Sequence, residues 1–223
     1  MTEDKTIYIH PLARRNRLFL MTVGSLLLGF CLLLDLLFWQ AYKLQLIILN
    51  MAALIVFLVG YLKHLQPKVS YTITPEWLSY HHSWGQWRLP WHSIRRVGEI
   101  NVQLHMQALH LPFVGIALSD VSHLANSISP RLANKLIHEQ KNLLITAVKA
   151  ELITQQQAII CFEPFRINGQ RITGPIAAFL HQCTVLQSAY GFHLYLPQDS
   201  FDRELPSFIA LLQQCQRYSS TKA

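Results

Sequence analysis

Two apolar runs, Leu18 to about Leu34 and Leu44 to about Leu62, are separated only by the stretch from Asp35 to Lys43. A bilayer's hydrocarbon core is about 30 Å thick and takes roughly 20 apolar residues of helix to cross. Each run is near that length, and the connector has room only for a tight turn. The expected element is a helical hairpin that pins everything after it to one membrane face. Composition agrees: 51% of the 223 residues are hydrophobic and 14% charged, against about 25% charged in ordinary soluble domains.

The competing reading of the first run is a secretory signal, since Arg14, Arg15 and Arg17 precede it. The run is long for that role, and no small-x-small cleavage site follows. Asp35, Trp39 and Tyr42 come next, and the aromatic pair suits the headgroup level. Lys5, Arg14, Arg15 and Arg17 flank one side and Lys63 and Lys68 the other, while the connector has only Lys43. The positive-inside rule then puts both termini in the cytoplasm. Asp35 falls at the end of its span, within reach of water, and Asn50 can hydrogen-bond the first helix or a neighbour. Gly24, Ser25 and Gly29 allow close helix contact and, through it, a homo-oligomer.

The net charge of +7 is spread along the chain, with six basic and three acidic residues up to residue 66 and thirteen and nine after it. Without a basic tail or stripe nothing points to nucleic acid; attraction to an anionic membrane surface fits better. Cys31, Cys161, Cys183 and Cys215 form no C-x-x-C pair and read as small buried hydrophobes in a reducing compartment.

After the second run, Lys68–Thr74, Trp77–His82, Gln86–Pro90, Ser93–Val102 and Phe113–Leu118 read as successive short strands. Ser129-Pro130 opens a helix with Leu132, Ala133, Leu136 and Ile137 on one face and Arg131, Lys135, Glu139 and Lys141 elsewhere. Leu143 to Val148 fits helix or strand, and Ala158–Phe162 is strand-like. Asn168-Gly169 marks a hairpin turn between Phe165–Ile167 and Arg171–Thr173. A helix follows Gly174-Pro175 and closes near Gly191; then come a strand over Phe192–Leu196 and a last helix from about Pro206 to Arg217. The expected fold is thus a transmembrane hairpin followed by a cytoplasmic α+β region, an antiparallel barrel or meander with a small α/β subdomain. The expected divisions are a tail over 1–17, a hairpin over 18–66, a β domain over 67–126 and a helix-rich part over 127–223.

Two transmembrane helices followed by Tyr71-Thr-Ile-Thr-Pro-Glu-Trp-Leu-Ser-Tyr80, a Trp84-Gly85 turn and Trp87-Arg-Leu-Pro-Trp-His-Ser-Ile-Arg-Arg-Val97 resemble the bacterial pleckstrin-homology-like domains of small inner-membrane proteins. With Ser127–Gln140, Tyr190–Pro197 and Phe201-Asp-Arg203 added, the chain resembles an uncharacterised bacterial family of two-span inner-membrane proteins, a domain of unknown function. That resemblance implies architecture and location, not an activity.

No G-x-S-x-G, P-loop, G-x-G-x-x-G after a strand or H-E-x-x-H is present. The eleven histidines lack ligand spacing: His81 and His82 point to opposite faces of a strand, and His105 and His110 have no Cys or carboxylate at ligand spacing. No catalytic residue, cofactor or metal is expected. Four of the five tryptophans, Trp77, Trp84, Trp87 and Trp91, crowd one stretch that also carries Arg88, Arg95 and Arg96. The bland reading is core packing and a solvated strand face. The sharper one makes Trp84, Trp87, Arg88, Trp91, Arg95 and Arg96 contacts to lipid phosphates or a partner protein. The expected function is therefore a non-enzymatic inner-membrane protein whose cytoplasmic domain meets a protein or the lipid surface. The alternatives are an enzyme acting on a membrane-embedded substrate and an accessory subunit working through its transmembrane helices.

Overall fold

The computed structural model describes residues 6–11, 17–65, 69–104 and 107–222. Lys5, Arg14, Arg15, Lys68 and His105 lie outside the described residues, as do the side chains of Arg17 and Lys63. The chain divides into two compact units, Pro11–Lys68 on the one hand and Met1–His10 with Val69–Ala223 on the other.

The first unit is a long apolar helix, α1 (Arg17–Leu65), interrupted by a non-helical Tyr42 at φ −130°, ψ 36°. Contacts join residues before Tyr42 to residues after it. Asn50 Nδ2 donates to both Asp35 carboxylate oxygens, at 2.9 and 3.2 Å. A Cβ on Gly24 would lie 2.7 Å from Phe57 Cα, and one on Gly60 would lie 2.8 Å from the Met21 nitrogen. Glycine at both positions lets backbone meet backbone.

The second unit begins with a strand that the sequence reading missed. β1 (Ile7–Ile9) is antiparallel to β2 (Tyr71–Ile73), although the whole of α1 separates them in the chain. β3 (Trp77–His82) and β4 (Gly85–Pro90) complete a four-stranded meander in the order β1-β2-β3-β4. Strand alternation sorts its residues: Ile9, Tyr71, Ile73, Leu78, Tyr80, Trp87 and Leu89 are buried, while Tyr8, Trp77 and Arg88 face outward. A short 3₁₀ turn, Trp91–Ser93, leads to β5 (Ile94–Leu104), which pairs with β6 (Gln107–Leu118) in a second sheet. The two sheets are separate, and no closed barrel forms among the described residues. The expected barrel is corrected on that point: β4 makes no ladder with β5, because the chain turns away at Pro90.

The helices follow. α2 (Ser122–Ser127) and α3 (Pro130–Glu139) cover the outer edge of β4: Ser127 Oγ accepts the Arg88 N–H at 3.2 Å, and Ser129 Oγ donates to the Trp84 carbonyl at 3.2 Å. Ser129 also caps α3 by accepting from Leu132 N. Gln140 breaks the helix and α4 (Lys141–Lys149) restarts it, so the stretch open to helix or strand is helix. Ala158–Phe162 is not a strand. Thr154 and Gln157 hydrogen-bond each other into turns there, no neighbouring strand receives the segment, and Ile159 and Phe162 stay 71% and 62% exposed. β7 (Phe165–Ile167) and β8 (Gln170–Ile172) form the expected hairpin, with Asn168 and Gly169 at φ 49° and 81°. α5 (Pro175–Tyr190) ends at left-handed Gly191; β9 (Leu194–Pro197) pairs with β6; α6 (Leu205–Lys222) closes the fold.

One hydrophobic cluster takes residues from both sheets and from α2, α3, α5 and α6, so the 67–126 and 127–223 stretches share a core. α5 lies inside it, with Ala177, Ala178, Phe179, Leu180, Cys183 and Leu186 all buried. Beside it, Phe192 lies over the cross-strand pair Gly98 and Gly115, and a Cβ on Gly115 would collide with its ring. Gly115→Ala is expected to cost about 1–3 kcal/mol by overpacking. Phe192→Leu should recover part of that loss in the double variant, measured by thermal unfolding of the purified full chain in detergent.

Candidate functional site

The six residues singled out from the sequence do not converge. β4 runs from the β3–β4 turn to Pro90, a length of about 17 Å at 3.4 Å per residue. Trp84 is at the turn and 55% exposed, whereas Trp91 lies beyond the far end and is buried. Trp91 Nε1 donates to the Thr74 carbonyl at 2.8 Å, and Trp87 packs between Tyr80 and the core. Both indoles are almost wholly buried. Arg88 is exposed on the outer face of the sheet, 5.9 Å above the Trp77 ring. Arg95 is exposed at the start of β5. Arg96 stacks 4.6 Å from the Phe192 ring, with Nη2 3.5 Å from the Gly191 carbonyl. Trp84 alone keeps both the exposure and the edge position that an interfacial tryptophan needs.

Two concavities lie in the α+β unit, and of the six residues only Trp91 lines either of them. One, about 740 Å³, is at the far end of the meander and is lined by Glu76, Trp77, Trp91 and His92 with Gln216 of α6. The other, about 520 Å³, opens between α3, α4 and the segment that follows. Its wall is apolar, including Ile137, Leu144, Ile145, Val148 and Ile160, and its cationic or titratable members are His138, Lys141 and Lys149. The sequence reading had placed Arg131, Lys135, Glu139 and Lys141 off the apolar face of α3. The signal it lacked was which structure that polar face would border.

Four histidines make local contacts. His81 Nε2 is 3.0 Å from Thr72 Oγ1, His82 Nε2 is 3.8 Å from Glu139 Oε1, and His92 meets His123 edge-on at 5.3 Å between ring centroids. Among the described residues no three His, Cys, Asp or Glu groups are gathered so as to hold a metal ion. All four cysteines are unbridged; burial raises the thiol pKa of Cys183 and, less strongly, that of Cys215.

The described structure defines an α+β protein preceded by a long apolar helix. The chain belongs to the family described as protein of unknown function (DUF2982), which matches residues 71–218. No curated protein and no solved structure matches it. The family match covers both sheets from β2 onward and most of α6, and leaves out β1 and α1.

Burial holds His193 below its ordinary value of 6.5, and its Nδ1 accepts the Leu118 N–H at 3.1 Å. His82 is lowered too, by burial first, with Glu139 opposing and Lys135 assisting. The folded state thus prefers both rings neutral, while the unfolded chain takes up protons below about pH 6.5. Their stabilising contribution is complete above that pH and falls as the pH drops through it. Thermal unfolding from about pH 7.5 down to about pH 5.5 should therefore show a smaller fall in Tm for the His82→Gln/His193→Asn double variant than for the parent chain.

Proposed function

We propose that the protein is a two-span protein of the bacterial inner membrane whose cytoplasmic α+β unit acts as a non-catalytic interaction module at the membrane face. It would meet a protein partner or the lipid surface there. The observation that carries this reading is the pairing of Ile7–Ile9 with Tyr71–Ile73. Strands that pair lie about 4.8 Å apart, whereas α1 drawn straight would be about 73 Å long at 1.5 Å per residue. A chain that leaves the sheet after β1 and re-enters it at β2 needs a return path, and the non-helical Tyr42 is a natural place to turn. The Asn50–Asp35, Gly24–Phe57 and Gly60–Met21 contacts support the same path. Each half, 17–41 and 43–65, rises roughly 35 Å, enough to cross a hydrocarbon core of about 30 Å.

The residues Leu18–Leu62 are apolar and long enough for a membrane helix. Leu26, Leu36 and Leu37 are 75%, 83% and 74% exposed, a surface that suits lipid rather than water. The basic flanks argue for cytoplasmic termini. The resemblance of the meander to pleckstrin-homology-like domains supports a binding role by analogy only.

Labelling with a membrane-impermeant maleimide tests this. In intact spheroplasts the Gln40→Cys variant should be labelled at its new thiol, and the partly exposed Cys161 only after lysis. Labelling of Cys161 in intact spheroplasts, or recovery of the chain in the carbonate-soluble fraction, would overturn the reading.

A further inference from the structure

Resting on that membrane reading, we propose that the exposed face of α3 and the start of α4, together with Trp84, is a docking surface for the anionic phospholipid headgroups of the bilayer that holds α1. The strand register carries the first part. Ser70 N donates to the Ile9 carbonyl at 2.8 Å and His81 N to the Ser70 carbonyl at 2.7 Å, so these three residues stand side by side. Ile9 and Ser70 are where the sheet gives way to the chain running to and from α1. The β3–β4 turn begins just beyond His81, so Trp84 projects from that same end of the sheet. From Leu65 to Tyr71 the chain can reach at most about 20 Å. The sheet end is therefore tethered close to the bilayer.

α3 runs across this end. Its first turn is bonded to Trp84 through Ser129 Oγ, and near its other end Glu139 reaches His82. Leu132, Ala133, Leu136 and Ile137 face the core, leaving Arg131, Asn134 and His138 exposed and Lys135 half-exposed, with Lys141 exposed where α4 starts. The one acid on the helix, Glu139, is engaged by Lys135 at 3.4 Å. Arg131 and Lys141 make no ion pair among the described residues. The 520 Å³ groove opens beside Lys141, its apolar wall rimmed by His138, Lys141 and Lys149. Exposed cations, an apolar recess and an edge tryptophan, all carried by α3 or its neighbours, have the chemistry that complements an anionic lipid interface. A phosphodiester surface is favoured over an acidic protein because the tether holds the domain at a high effective concentration of lipid. Individually weak contacts then suffice, each cation contributing about fivefold.

The test uses the full chain in nanodiscs of phosphatidylcholine alone or mixed with phosphatidylglycerol. The rates of lysine acetylation at Lys135, Lys141 and Lys149 are read by mass spectrometry. The proposal expects Lys135 and Lys141 to react about fivefold more slowly in the anionic discs, with the rates restored by high salt. Arg131→Gln should partly relieve that protection. Equal rates in both lipids, with the chain still inserted, overturn the docking surface and leave the membrane reading standing. Protection that follows the number of copies per disc rather than lipid charge assigns the face to a second copy and also overturns it. Failure of the chain to enter discs at all overturns the membrane reading itself.

Discussion

The backbone ladder between β1 and β2 is the constraint on which the rest of the structure depends. It closes the meander's first edge with a strand from the far side of α1. Ile9 and Tyr71, neighbours in that ladder, are both fully buried and enter the same core as Phe179 and Phe208. Hydrogen bonds in such a ladder are individually modest. Here they share one core with the side chains, so Ile7–Ile9 cannot be treated as a loose tail. The helix unit is in effect an insertion into the first hairpin-like connection of a sheet. The chain leaves the sheet after Ile9 and re-enters it at Tyr71, its partner in the ladder.

Within the α+β unit, packing is organised around α5. Its small residues Ala177, Ala178 and Cys183 let it lie deep between the sheets and α3, while Phe179 supplies bulk. Several buried hydroxyls are tied down: the Tyr195 hydroxyl lies 2.9 and 2.7 Å from the Leu186 and Phe192 carbonyls, and Tyr71 meets Ser200 at 2.7 Å. Arg96, one of the candidate contacts named from the sequence, stacks on Phe192 above the Gly98–Gly115 floor and stays exposed. The stacking on an aromatic face and the Nη2 donation to the Gly191 carbonyl hold the guanidinium in place.

The interaction surface illustrates why sites are harder to read than folds. Trp84, Trp87 and Trp91 carried the same two readings in the sequence, core packing or a contact to lipid or a partner. Alternation along β4 sends Trp87 inward, and the 3₁₀ turn after Pro90 carries Trp91 under the sheet. Local pattern cannot distinguish these, since burial depends on which face meets the helices. The polar face of α3 was legible from its spacing, but its proximity to the sheet end that leads to α1 follows only from the long-range pairs Ser129–Trp84 and Glu139–His82.

Apolar length, strand alternation and turn chemistry are local properties, and they were enough to read an apolar helical segment near the N-terminus, β2 through β5, the second half of β6, the Asn168-Gly169 hairpin, α3, α5 and α6 from the chain alone. Each rests on residues within one or two turns of one another, where spacing and φ preference decide. Three things were settled only by tertiary structure. β1 is three residues long and becomes a strand because β2 offers it an edge. Ala158–Phe162, strand-like in composition, has no edge to join and stays in turns. The sheets remain apart because Pro90 and the following turn divert the chain before a barrel can close. In each case the deciding quantity is the presence or absence of a distant hydrogen-bonding partner, which no window of sequence contains.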